Sequence, residues 1–318
     1  MNEFEIIDHY FKPKLLDNQQ GLKLGIGDDA AVIDISQDEE LVVSIDTLVQ
    51  GVHFLKDTSP QDIANKSLLV NLSDIAAMGA SPRWITLSLT LPDNNSDWLK
   101  EFSKQFNSLL ADYSLVLIGG DLTKGPLSIT IQAHGIVPKG KFLCRSGAKP
   151  DDSIYVTGEL GAAAYTLRYL EDSDEKLKPT KKEIQRLNKP EPRIKTGLEI
   201  RDIATSCIDI SDGLFIDLSH ILRCSKVGAE VKLQDIPYSS TLRKLNKDLA
   251  IDLALTGGDD YELCFTIPSN VSNTDLEKMI TTSKVSKIGR INELSSKLNL
   301  IDDDEKPYKL ESAGFQHF

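Results

Sequence analysis

Aspartates recur along this chain beside glycine or at the ends of apolar runs, and the charge they concentrate limits the folds open to it. They stand in Gly25-Ile26-Gly27-Asp28-Asp29, Ser44-Ile45-Asp46-Thr47, Asn71-Leu72-Ser73-Asp74, Gly119-Gly120-Asp121, Asp209-Ile210-Ser211-Asp212-Gly213 and Gly257-Gly258-Asp259-Asp260. Taken singly, each is explained by a helix cap, a turn or a solvated charge. Placement argues for more: Asp46 and Asp209 sit inside apolar runs, where a polar group is costly without partners. Gathered together, such carboxylates disfavour joint ionisation, so folding would need a compensating cation. Carboxylate oxygens suit Mg²⁺, which usually takes substrate phosphates among its other ligands. The pattern predicts a fold that collects acids from distant segments into one pocket for metal-assisted phosphate chemistry.

At 318 residues the chain is long enough for two domains. A hydrophobic share of 40% and a charged share of 26% are globular values, so disorder is not the default. The formal net charge is −12, from 36 basic and 48 acidic residues. No basic block or basic aromatic stripe occurs, so no nucleic-acid partner is expected. A polyanionic nucleotide is compatible with this charge if cations lie between. Cys144, Cys207, Cys224 and Cys264 lack zinc-site spacing and read as buried, reduced thiols of a cytosolic protein. The start, Met1-Asn2-Glu3-Phe4-Glu5, lacks a signal peptide's basic and apolar segments. No apolar stretch approaches the roughly 18 residues that cross a bilayer, so no membrane partner and a cytoplasmic location are expected.

Apolar periodicity predicts alternating strands and helices, an α/β fold. A strand over 41–46 would deliver Asp46 to its end. A helix over 60–78, stopped by Gly79 and Pro82, places Asn71 and Asp74 on one face of its last turns. A strand over 84–91 follows, then a helix over 97–113 with Trp98, Phe102, Phe106, Leu109 and Leu110 as its buried stripe. A short strand over 115–118 runs into Gly119-Gly120-Asp121, and another covers 127–137. The second half shows strands over 153–157, 207–210, 229–233 and 261–267. Its helices cover 160–170, 192–204, 211–225 with Ser211 as N-cap, and 241–249. The charge-dense stretch 171–183 reads as an exposed loop. Glycine and proline near 145–150 mark a boundary between domains 1–145 and 146–318. Echoes of 45–47 in 208–210, and of 27–29 in 258–260, are too weak to establish a repeat.

No P-loop and no kinase-type glycine loop with its catalytic aspartate occurs. Gly25-Ile26-Gly27 by itself is a plain turn. Gly119 and Gly120 would let backbone approach a phosphate beside Asp121. His53 reads either as a core or turn histidine or as a ligand. Arg145 reads as a surface cation or as a bidentate phosphate clamp. Phe315 reads as an anchor for the tail or as a stacking platform.

These runs, with Gly51-Val52-His53-Phe54, Arg145-Ser146-Gly147-Ala148 and the extension Tyr261-Glu262-Leu263, closely resemble the thiamine-monophosphate kinase family. That family belongs to the aminoimidazole ribonucleotide synthetase-like ATP-binding superfamily, and the match spans nearly the whole chain in order. The resemblance implies a two-domain α/β (α+β) fold of that type, its N-terminal domain pairing through its sheet in a homodimer. It implies ATP-dependent phosphorylation of thiamine monophosphate to thiamine diphosphate, the last step of thiamine diphosphate biosynthesis, with several Mg²⁺ ions. Carried over residue by residue, it puts metal ligands at Asp29, Ser44, Ile45 (through its carbonyl), Asp46, Asp74, Asp121, Asp209 and Asp212. It puts ATP contacts at Gly120, Asp121, Arg145 and Ser211, and thiamine phosphate contacts at His53, Asp259 and Phe315. Position 45 is commonly threonine in that family, a change to which a backbone ligand is indifferent. Position 259 is commonly glutamate, one methylene longer than Asp259.

The implied reaction is in-line phosphoryl transfer to a phosphate, an acceptor already anionic, so no general base is expected. Two other readings compete. Superfamily members that activate an amide, a formyl group or selenide are disfavoured: no cysteine precedes Cys144, as selenophosphate synthetase would need, and none ends the chain, as a carbamoyl dehydratase would need. A non-catalytic nucleotide-binding regulator would tolerate losing several of the aspartates retained here.

Overall fold

The computed structural model describes residues 2–12, 19–171 and 177–310. The chain divides into two compact units, Met1–Ile75 with Ala80–Gly140, and Ala76–Gly79 with Lys141–Phe318.

In the first unit, α1 (Glu3–Ile6) continues as a π-helical turn through Phe11, and β1 (Leu22–Leu24) pairs with β2 (Val32–Ile33). The main sheet holds β3 (Glu39–Val49), β4 (Ser81–Leu91), β5 (Val116–Lys124) and β6 (Ser128–Pro138) in the order β3-β6-β4-β5. Only β4 and β5 run parallel, which requires a long crossover, and α3 (Ser96–Asp112) supplies it. Alternation along the strands buries Ile85, Leu87 and Leu89 with Ile129, Ile131 and Ala133 on one face. On the edge strand β3 the opposite face leaves Leu41, Val43 and Ile45 open to solvent at 45%, 47% and 59% exposure.

The helix α2 (Pro60–Ala77) is buried on every side from Ile63 to Ser73, so its polar side chains must find partners inside. They do. The Asn71 amide donates to the Ser67 carbonyl at 2.9 Å, the Gln105 amide to Asn65 at 2.8 Å, and the Lys66 ammonium to the His53 carbonyl at 2.8 Å. In α3 the apolar stripe forms as expected, with Phe102 stacked between Trp98 at 5.0 Å and Phe106 at 5.7 Å. Asn95 caps that helix by accepting the Asp97 and Trp98 N–H groups.

The second unit is built on β7 (Ser153–Thr157), β8 (Ser206–Asp209), β9 (Gly228–Lys232), β10 (Leu263–Ile267), β11 (Val285–Asn292), β12 (Leu298–Ile301) and β13 (Pro307–Tyr308). Their order is β13-β12-β9-β11-β7-β10-β8, antiparallel except for β12 with β9. The helices are α4 (Ala162–Glu171), α5 (Lys181–Asn188), α6 (Ile194–Ile200), α7 (Leu214–Ser225), α8 (Lys247–Thr256) and α9 (Asn273–Met279). Strand alternation sends Val156, Ile208 and Cys264 into one apolar cluster and Tyr155, Cys207 and Phe265 into another.

Several expectations are corrected. Asp46 lies within β3 rather than at a strand end, because β6 pairs with that strand through Val49. Asp121 lies inside β5, which runs through the two glycines while paired with β4. Ser211 does not cap α7; Gly213 does, at φ 120°. The helix read over 241–249 is instead a 3₁₀ turn at Leu242–Lys244 followed by α8, which starts after the capping residue Asn246. The helix read over 192–204 shortens to α6, and the strand read from 261 starts at Leu263. Cys224 is exposed, not buried. The stretch read as an exposed loop ends in α5, started by a capping box in which Thr180 and Glu183 bond reciprocally.

Glu183 is only 5% exposed. Burial alone would raise its carboxyl, but hydrogen bonds from Thr241 and Thr180 hold it down at about 2. A depressed carboxyl contributes stability that is present above its unfolded value near 4.5 and lost as pH falls towards 2. Glu183→Gln should therefore cost about 3 kcal/mol near neutral pH, with the difference from wild type shrinking to nothing near pH 2. Urea denaturation across that range measures it; a pH-independent difference would contradict it.

Candidate functional site

Expected site residues in the first unit occupy two separate seats. The first lies between β3 and α2. The Ser44 hydroxyl donates to the Asp74 carboxylate, and the Asp46 N–H donates to the Asn71 side-chain oxygen at 3.1 Å. Asn71 is fully buried, so the helix spacing read from the sequence becomes a fixed bracket on β3. Ile45 turns its side chain to the opposite face, where it is exposed. In the turn after β3, His53 Nδ1 accepts the Val49 N–H at 3.0 Å. The ring proton of the neutral imidazole therefore sits on Nε2.

The second seat is a cavity of about 650 Å³ along β5, lined among others by Lys12, Gly27, Asp28, Asp29, Gly120 and Asp121. Between the pairs Ile85–Leu117 and Thr86–Gly119 the register shifts at a bulge, which re-aims the strand. A Cβ on Gly120 would lie 1.9 Å from the Leu87 carbonyl oxygen, so strand packing already demands glycine there. Gly119 is freer, its nearest neighbour being Thr86 Cγ2 at 4.0 Å.

Asp121 pairs with Ser88, Ser88 with Thr130, and Thr130 with Thr47, whereas Asp46 pairs with Ile131. Alternation therefore puts Asp46 and Asp121 on opposite faces of the sheet, with β6 and β4 between them. Within that sheet Asp46 and Asp121 are not brought together.

In the second unit Asp209, Ser211, Asp212 and Asp259 do come together. Beyond the ends of β8 and β10 the chain stays paired. Ile210 N–H donates to the Glu262 carbonyl at 2.7 Å, Tyr261 N–H to Ile210 at 2.8 Å, and Asp259 N–H to Ser211 at 2.9 Å. Two residues that organise this loop pair were missed from the sequence. Asp217, 3% exposed, accepts the N–H groups of Ser211, Asp212 and Gly213 on one carboxylate oxygen at 3.0, 3.1 and 3.1 Å. Burial pushes its carboxyl up to about 7 against those donors. Glu262, 1% exposed, takes the Arg193 guanidinium through two bonds of 2.6 Å and one from Arg186 at 3.0 Å. The available signals were a lone acid in the apolar helix run Leu214-Phe215-Ile216-Asp217-Leu218 and a charge heading the apolar strand Leu263-Cys264-Phe265.

Arg145 lies beside this loop pair: burial lowers the His220 imidazole, Arg223 and Arg145 lower it further, and Asp212 opposes them. The Arg145 carbonyl accepts the Ser225 hydroxyl at 3.3 Å. Phe315 lies outside the described residues. Among the described residues no three His, Cys, Asp or Glu side chains group closely enough to hold a metal by themselves. Each seat instead offers oxygen donors, one or two carboxylates with a hydroxyl or carbonyl. That set suits Mg²⁺, which keeps waters and takes phosphate oxygens, rather than zinc with its sulfur and nitrogen ligands.

Two family models match the chain: AIR synthase related protein, N-terminal domain, over residues 27–137, and AIR synthase related protein, C-terminal domain, over residues 149–297. The thiamine-monophosphate kinase of Buchnera aphidicola subsp. Schizaphis graminum is 46% identical over 100% of this chain and 99% of its own. The crystal structure of thiamine-monophosphate kinase from Stenotrophomonas maltophilia K279a is 42% identical at TM-score 0.81, covering 90% of this chain and 92% of that one. A structure of AaThiL complexed with AMPPCP and TMP is 31% identical at TM-score 0.77, covering 92% of each chain. Sequence and fold agree across both halves, and the chain belongs to the thiamine-monophosphate kinase family of AIR synthase related proteins.

Proposed function

We propose that this protein transfers the γ-phosphoryl group of ATP directly to the phosphate of thiamine monophosphate, yielding thiamine diphosphate and ADP. The observation that carries the reading is 46% identity over the entire chain to a thiamine-monophosphate kinase. It is supported by likeness to a structure complexed with AMPPCP and TMP, which we read as an ATP analogue and the acceptor. An oxygen of the acceptor phosphate bonds to the γ-phosphorus as the bond to the bridging oxygen of ADP breaks. The acceptor is already anionic, so catalysis consists of positioning and charge stabilisation.

In the first unit Ser44, the Ile45 carbonyl, Asp46 and Asp74 offer one set of metal-binding oxygens, and Asp29 and Asp121 another. In the second unit Asp209 and Asp212 do so. When bound, Mg²⁺ supplies neutralisation of the phosphate charges. Gly120, Asp121, Arg145 and Ser211 contact ATP, the Arg145 guanidinium forking onto phosphate oxygens. His53, Asp259 and Phe315 hold thiamine monophosphate. Residues 1–145 carry the nucleotide, metal and dimer functions, and 146–318 form the second domain.

The exposed face of Leu41, Val43 and Ile45 supports a homodimer paired through the first-unit sheet, since such a long apolar edge is otherwise a liability. The acidic net charge argues against nucleic acid as a partner. No described helix is long and apolar enough to cross a membrane.

Incubating the protein with ATP, Mg²⁺ and thiamine monophosphate should produce thiamine diphosphate on chromatography; nucleotide binding without product would favour a regulator. Asp121→Asn should lower turnover at least on the order of 100-fold, above the effect of losing a group that only supports a ligand, while melting stays unchanged. Near-normal turnover would remove Asp121 from the site. Light scattering should give a dimer for the wild type and a monomer for Val43→Glu; a monomeric wild type would sink the sheet-paired assembly.

A further inference from the structure

The loop that carries Asp259 holds two non-glycine residues in the left-handed region within three positions, Asp259 at φ 67° and Tyr261 at φ 50°. Aspartate tolerates that region; a bulky tyrosine is an outlier there, and such strain persists only where surroundings over-determine it. Here they do. Both N–H groups are tied to the Ser211 and Ile210 carbonyls, and the next residue, Glu262, is buried and clamped by Arg193 and Arg186. On the other side, Asp260 accepts the Gly161 N–H on both carboxylate oxygens, at 3.0 and 2.9 Å. The backbone is thus fixed at both ends of a turn that a tyrosine would not adopt by itself. The strain puts the phenol back over the preceding turn, where the Tyr261 hydroxyl donates to Asp259 Oδ1 at 3.0 Å.

We propose that Tyr261 is a positioning residue for substrate recognition: its hydroxyl fixes the Asp259 carboxylate so that the carboxylate accepts from the amino-substituted heteroaromatic ring of the acceptor. This rests on the functional reading above, in which Asp259 contacts thiamine monophosphate. Among the described contacts, the Tyr261 hydroxyl holds one oxygen of the short Asp259 side chain. A carboxylate held in this way meets its ligand in a fixed direction, which lowers the ordering cost of binding. Arg193, Arg186 and Glu262 act one step further out, holding the backbone that aims the phenol.

The test is steady-state kinetics on full-length wild type, Tyr261→Phe, Asp259→Asn and the double variant, with melting temperatures measured alongside. Tyr261→Phe keeps the ring and removes only the hydroxyl. It should raise KM for thiamine monophosphate on the order of tenfold, the worth of a hydrogen bond to a charged group, leaving KM for ATP and kcat within about twofold. Asp259→Asn should raise the same KM at least as far, and the double variant should add little to it, since both changes remove one interaction. A merely structural tyrosine would instead lower melting and disturb both substrates alike, which overturns the proposal. Additive effects on KM, or an unmoved KM in Tyr261→Phe with normal wild-type turnover, overturn it while leaving the enzyme assignment intact. Absence of thiamine diphosphate from the wild type overturns the assignment and the proposal together.

Discussion

The ion pair of Glu262 with Arg193 and Arg186 ties the turn before β10 to α5 and to the residue that precedes α6. Glu262 is 1% exposed and Arg193 7%, so both groups have left water and each supplies a partner to the other. Two parallel bonds of 2.6 Å make the pair directional as well as strong. Thr157 of β7 donates to the same carboxylate at 2.5 Å, and a Cβ on the following Gly158 would lie 2.0 Å from it. One side chain therefore sets the last residue of β7, the turn before β10 and the approach of the segment bearing both arginines. Removing one partner of such a pair leaves an uncompensated buried charge, which costs about 3–5 kcal/mol.

The first unit fixes its site through a neutral side chain. Its organiser is Asn71, whose amide binds its own helix at Ser67 while its oxygen holds the backbone of Asp46. A neutral side chain suits this position, because a carboxylate would repel Asp46 and Asp74. The two faces of the sheet then diverge in role. The face of Ser44 and Asp46 packs towards α2, whereas the face of Asp121 shares its row with Ser88, Thr130 and Thr47, polar residues that keep it wettable.

Much of this was legible in advance, unevenly. The stripe of α3 follows from periodicity, because the helix buries one regular face, and β7 follows from an apolar run that is buried on both faces. The strand β5 defeated the same reasoning: glycine reads as a stop, yet parallel pairing with β4 supplies the backbone bonds that carry it past Gly120. The helix α5 was hidden because Glu183, one more charge in a charged run, is internal, held by Thr180 and Thr241, the latter distant in sequence. Beyond 267 lie β11, interrupted by Ser286, Lys287 and Gly289, and the short strands β12 and β13, of which the sequence gives little sign. At the site the motif resemblance marks individual aspartates as candidates. It could not show that Asp46 and Asp121 take opposite faces, which depends on pairing register. Nor could it single out Glu262, whose partners lie far back in the chain.

What the organising contacts have in common is that they act on backbone. Asp217 takes three consecutive N–H groups of the loop at Ser211, Glu262 aims the turn at Asp259, and Asn71 holds the Asp46 amide. Side chains that would touch phosphate or cation are thereby left at the ends of fixed main-chain segments, and their own rotations are the main freedom left to lose on binding. For a reaction between two polyanions this matters, since repulsion grows as the phosphates approach and a loop that had to order at the same moment would add to the barrier. The protein meets the ordering cost at folding, with groups buried too deeply to compete for substrate. Asp217 shows the principle most plainly: at 3% exposure one of its carboxyl oxygens holds the loop from within, withdrawn from solvent.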